Sequence, residues 1–154
     1  MTRRPQLLES LKAHEGLRLS PYRDTVGKLT VGYGHNLDAK PLPWLRTSSP
    51  MPKRVAVAIL EQDVDDATHA LDVFIPWWTE LDDVREQVMA ELSFNMGVDD
   101  DPRNGLDSFK NTLMAVRDGN WQAAHDGLLN SLWARQVGPE RSARLANMML
   151  TGRA

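Results

Sequence analysis

Three residues near the N-terminus combine types and spacing that suit hydrolytic chemistry: Glu15, Asp24 and Thr30, separated by eight and by five residues. Breaking a glycosidic bond commonly takes two carboxyl groups, one on each side of the bond. One must hold a proton and give it to the leaving oxygen, while the other stays ionised and helps a water to attack. Glu15 falls at the end of a helical pattern, where the negative end of the helix suits the proton-holding role. Asp24 falls in a polar turn and suits the ionised role. Thr30, on a strand, supplies a hydroxyl able to hold a water beside Asp24. The bland reading stands beside this one, because exposed Glu and Asp and strand Thr are common in any protein.

Those residues need elements to position them. Leu7, Leu8 and Leu11 recur at helical spacing, Thr2 or Pro5 can start the helix, and Gly16 can stop it. Leu29, Val31 and Tyr33 alternate with Thr30, Gly32 and Gly34, the period of a half-buried strand. Asp24 to Lys28 supplies turn chemistry, so residues 17–35 are expected to form a β-hairpin. Residues 38–52 hold four prolines and are expected to be a loop, with Trp44 as an exposed aromatic. Val55, Ile59, Leu60, Val64, Ala67, Leu71 and Phe74 then form a long apolar stripe that Pro76 should end. Thr79 with Asp82 resembles a capping box for the next helix. Leu81, Val84, Val88, Leu92 and Met96 follow at helical spacing. Asp99–Gly105 is expected to be a solvated loop. Further helices start near Phe109, after Asn120, around Leu132 and near Glu140. Trp121 and Trp133 are expected in the core.

This is an α+β layout of a small N-terminal lobe with a β-hairpin, a long connecting helix and a C-terminal helical lobe. The expected bounds are 13–52, 53–75 and 76–154, with the N-terminal helix 3–15 joining the helical lobe. The 154 residues bury enough surface to need no disulfide or metal staple. The absence of Cys excludes a Cys nucleophile and thiolate metal sites. His14, His69 and His125 have no partners at metal-ligand spacing, so no metal and no cofactor is expected. The net charge of −3 is uneven: residues 1–60 carry a balance of +6, residues 61–101 of −12 and residues 102–154 of +3. That acidic middle, with no recognition motif, argues against a nucleic-acid partner.

The neighbours of the three residues make the pattern specific. Glu15-Gly16-Leu17-Arg18-Leu19, Tyr22-Arg23-Asp24-Thr25, Gly27 and Thr30-Val31-Gly32-Tyr33-Gly34-His35 together resemble the T-even type of bacteriophage lysozyme, glycoside hydrolase family 24. The resemblance continues through Gln62-Asp63-Val64-Asp65, Phe94-Asn95-Met96-Gly97, Phe109, Trp121, Trp133 and Pro139-Glu140-Arg141. It implies a lysozyme-like fold, with Glu15 as general acid, Asp24 as second carboxylate and Thr30 as water-positioning hydroxyl. The reaction implied is hydrolysis, with inversion, of the β-1,4 bond between N-acetylmuramic acid and N-acetylglucosamine. Arg141 matches an arginine that pairs with the acid, and His35 with Asp63 matches a pair that ties the hairpin to the long helix. Phe94 and Thr112 match saccharide-contacting positions. Asn36 falls at another, where the family can have Leu.

The implied role is an endolysin acting on peptidoglycan glycan strands as a monomer, causing host cell lysis. Arg3 and Arg4 are followed by Pro5, Gln6 and Glu9, without the apolar stretch of a signal peptide. The expectation is therefore a host-cytoplasmic protein that reaches the wall from the periplasmic side through a holin-like membrane permeabiliser. The rival enzyme is a lytic transglycosylase, which would leave Asp24 and Thr30 without a task. The rival from another class is a catalytically silent glycan-binding or tail-assembly protein on the same fold.

Overall fold

A computed structural model describes residues 4–46, 48–99 and 105–154. The chain runs through helix α1 (Arg4–Glu15), strands β1 (Arg18–Arg23), β2 (Leu29–Gly32) and β3 (His35–Asn36), and the 22-residue helix α2 (Lys53–Phe74). Helices α3 (Asp83–Met96), α4 (Lys110–Arg117), α5 (Trp121–Leu129), α6 (Leu132–Val137) and α7 (Pro139–Thr151) follow. Short 3-10 turns at Pro76–Glu80 and Leu106–Ser108 precede α3 and α4. The architecture is the expected α+β, lysozyme-like one.

The chain divides into two compact units, one of Leu8–Asp65 and one of Met1–Leu7 with Asp66–Ala154. In the first, the three strands pair antiparallel in the order β1-β2-β3. The expected hairpin therefore gains a third strand, only two residues long. Tyr22 lies opposite Thr30, and Thr30 in turn lies opposite Asn36. A register irregularity between Arg18 and Tyr22 accommodates Pro21 on an edge strand, where a missing N–H is tolerated. The half-buried reading of β2 is corrected: Thr30, Val31 and Gly32 are all buried, so both faces are covered. Leu11, Val31, Met51, Ala56, Leu60 and Val64 form this unit's core.

The loop after β3 is secured at both ends. His35 Nε2 meets the Lys40 carbonyl oxygen at 2.8 Å, and the Lys40 amide donates to Asn36 O. At the far end the amide of buried Met51 donates to Leu19 O. Between these ties Leu45 N donates to Leu42 O, closing a turn with Pro43 at its second position, where the ring presets φ. Trp44 is 55% exposed, as the proline-rich sequence suggests.

In the larger unit α3 is buried from Glu86 to Ser93, and α7 packs on α3, α5 and α6. Its N-cap is Asp82, whose side chain accepts from Arg85 N. The expected Thr79–Asp82 box is thus corrected: Thr79 sits inside the preceding 3-10 turn and donates to Pro76 O. Asn120 caps α5 as expected, and Ser131 caps α6. Trp133 is buried, but Trp121 is only half-buried, with the Arg85 guanidinium 3.8 Å from its ring centre. Of the expected Asp99–Gly105 loop, residues 100–104 lie outside the described residues, as does Thr2 at the proposed start of α1.

Candidate active site

Glu15 is the last residue of α1, and Gly16 donates back to Lys12 O to end the helix. Its carboxyl is half-buried against the backbone of Gly34. A Cβ placed on Gly34 would lie 2.5 Å from Glu15 Oε2 and 2.8 Å from Cδ, so a side chain there would have to displace the Glu15 carboxyl. Gly34 also has φ +69°, a conformation L side chains rarely adopt. In the sequence Gly34 reads only as a position in the strand alternation and in the motif. Its contact with Glu15 depends on folding of the sheet.

Asp24 sits in the turn between β1 and β2, which holds it through backbone groups. Asp24 Oδ1 accepts from Val26 N at 3.0 Å and from Lys28 N at 2.8 Å. Asp24 N donates to Lys28 O, and Gly27 N donates to Asp24 O. Gly27 takes φ +83° to close the turn, and Arg23 Nη1 donates to its carbonyl. Thr30 joins the same assembly, because its hydroxyl donates to Lys28 O at 2.9 Å. The Lys28 peptide groups thus bind Asp24 twice and Thr30 once, and so bring the two residues together. Asp24 Oδ2 carries no hydrogen bond among the described residues, and the lone pairs of Thr30 Oγ1 remain able to accept.

Tyr22 is a neighbour that the reading of residue types missed as a site member. It faces Thr30 across the strands, and the Arg18 guanidinium lies 4.2 Å from its ring centre. Its phenol is held above the usual tyrosine value, first by burial and then by the negative charge of Glu15. Arg18 works against that rise and Asp24 adds to it. The phenol therefore feels both carboxylates. The signal available in sequence was the cross-strand register, which needs the turn length to be known.

His35 is buried, with Nδ1 2.7 Å from Asp63 Oδ2 and Nε2 2.8 Å from Lys40 O. Lys40 Nζ lies 3.5 Å from the other oxygen of Asp63. Both ring partners of His35 only accept, so the doubly protonated ring satisfies both. Burial of the ring opposes its charge. The Asp63 hydrogen bond and charge outweigh that, and His35 is held above the ordinary histidine value. The predicted His35–Asp63 tie between β3 and α2 is present.

Asn36 serves its own turn: its Oδ1 accepts from the amides of Asp38 and Ala39. Phe94 is half-buried on α3, Thr112 half-buried on α4 and Arg141 half-buried on α7. Thr112 Oγ1 occupies the space that a side chain on Gly127 would need. Among the described residues, no group of three or more His, Cys, Asp or Glu side chains is placed to hold a metal ion.

The geometry thus offers a half-buried acid on a helix end and a turn-held carboxylate with one oxygen open. A hydroxyl fixed to the same turn completes the set. The family model for phage lysozyme matches residues 12–147. The chain is 26% identical to probable T4-type lysozyme 1 of Dictyostelium discoideum, over 94% of this chain and 93% of that one. It is also 26% identical to probable T4-type lysozyme 2 of that organism, over 95% and 94%. A third similarity, at 27% identity, is to the pre-baseplate central spike protein Gp5 of Enterobacteria phage T4. It covers 95% of this chain but only 28% of the spike protein's length. With the family match running from the end of α1 almost to the end of α7, the chain belongs to the phage lysozyme family and is a lysozyme-type glycoside hydrolase.

Proposed function

We propose that this lysozyme is a muramidase that hydrolyses the β-1,4 bond between N-acetylmuramic acid and N-acetylglucosamine in peptidoglycan, with inversion. The observation that carries the reading is the convergence of Asp24 and Thr30 on the Lys28 peptide groups. One water donates its two O–H bonds to Asp24 Oδ2 and Thr30 Oγ1, which leaves a lone pair on its oxygen for the anomeric carbon. Glu15 gives its proton to the glycosidic oxygen as the C–O bond breaks. The water adds from the opposite face and loses a proton to Asp24, so atoms and charge balance. A water between carboxylate and sugar is the arrangement of inverting enzymes. Phe94, Thr112 and Asn36 would line the glycan path, and Arg141 would steady Glu15.

The biological setting proposed is an endolysin that acts alone on glycan strands. It is made in the host cytoplasm and admitted to the wall by a holin-like permeabiliser. Digestion of purified peptidoglycan by wild type and by Glu15→Gln, with mass spectrometry of the muropeptides, tests the chemistry. Hydrated, reducing muramic acid ends from wild type, and at least 100-fold fewer from Glu15→Gln, are expected. Initial products in the α configuration by proton NMR would support inversion. Anhydro ends would make the enzyme a transglycosylase and remove the water-holding role of Asp24 and Thr30.

A further inference from the structure

We propose that the loop between β3 and α2 docks this protein on an anionic lipid bilayer, with Trp44 as the inserted side chain. The loop carries an apolar tip: the Leu42–Leu45 turn presents Trp44, which is 55% exposed, between half-buried Leu42 and Leu45. A surface indole at a turn tip gains little for the fold. At a membrane interface its apolar ring and its N–H are both accommodated. The turn is presented firmly, because the loop is tied through Lys40 at one end and Met51 at the other.

The charges that follow this turn in sequence favour an anionic partner. Residues 41–54 contain Arg46, Lys53 and Arg54 and no Asp or Glu, in a chain whose net charge is −3. All three cations are exposed and make no ion pair among the described residues. Lys53 and Arg54 also occupy the first turn of α2, which has no acidic residue. That is the positive end of the helix dipole, where cations are disfavoured. Their placement there works against the helix and adds to its attraction for lipid phosphates. A bilayer rich in phosphatidylglycerol meets both features, taking the indole at its interface and the cations at its headgroups.

Co-sedimentation of the full-length protein with vesicles tests this, using phosphatidylcholine alone and an equal mixture with phosphatidylglycerol. Binding to the mixed vesicles is expected at low salt, with a blue shift of tryptophan emission, and it should weaken as salt rises. Trp44→Phe should abolish most of the blue shift. The triple variant R46Q/K53Q/R54Q should weaken partitioning by about fivefold per charge removed. Both variants should keep wild-type melting temperature and wild-type activity on purified peptidoglycan. Equal binding to the two vesicle types, or mixed-vesicle binding unchanged in both variants, would overturn the proposal. So would a loop that binds isolated peptidoglycan, and not vesicles, in a manner lost in the variants.

Discussion

Gly34 and Asp24 show two ways of fixing a carboxyl group. Around Glu15 the fixing is by exclusion: the Gly34 backbone stands where a Cβ would meet Oε2 at 2.5 Å. Gly34→Ala should cost stability through its positive φ, by about 1–2 kcal/mol, and should displace the Glu15 carboxyl as well. Gly138→Ala is a comparison without that contact, with φ +88° and no atom within 4 Å of the added Cβ. Both variants should lose stability, and only Gly34→Ala should lose kcat, by about 10–100-fold. Equal kcat in the two would show that Glu15 does not depend on this contact. The placement of Glu15 on a helix end, Asp24 in a turn and Thr30 on a strand was legible, because a helix stop, a turn and a strand are local signals. Gly34 against Glu15 and Tyr22 beside both carboxylates were not readable, because each is a contact made by the folded sheet.

At the scale of elements, a buried ion pair joins sheet and helix. His35 on β3 and Asp63 on α2 are 28 positions apart, and their 2.7 Å contact ties the sheet to the long helix. Because the folded pKa of His35 is raised, its contribution to stability is complete below the unfolded value, about 6.5. It is lost as pH rises through the folded value. Denaturation measured across that range should therefore show stability falling with rising pH. Asp63→Asn should flatten that slope and cost about 3 kcal/mol at pH 6. An NMR titration placing His35 at or below 6.5 in the wild type would contradict this account. Long helices with clear stripes were legible from periodicity, as α2 was. The two-residue β3 was not, since so short a strand has no pattern of its own. The start of α3 was misplaced because Thr79 and Asp82 both have cap-forming side chains. Only Asp82 is followed by an amide within its reach.

Across the whole chain the apolar cores are unequal. Of the largest fully buried side chains, Leu11, Met51 and Leu60 belong to the unit of Leu8–Asp65. Leu7, Leu71, Met89, Leu92, Leu106, Leu128, Leu145 and Met149 belong to the other. Each contributes about 1.5–3 kcal/mol of burial, so the smaller unit holds less of the total. Native-state hydrogen exchange should find the amides of Val88 to Leu92 opening only with global unfolding, and those of β2 at a lower free energy. Equal protection in the two places would mean that the chain opens as one cooperative body.

The turn that holds Asp24 has a practical consequence for protein engineering. Its grip on the carboxylate comes from the amides of residues 26 and 28, whichever side chains those positions carry. Thr25, Val26 and Lys28 are all exposed. A combinatorial library at these three positions, with Gly27 kept and proline barred from 26 and 28, changes the surface beside the Asp24 carboxylate and leaves its anchors in place. Under the function proposed above, selection from such a library is a direct route to altered substrate preference.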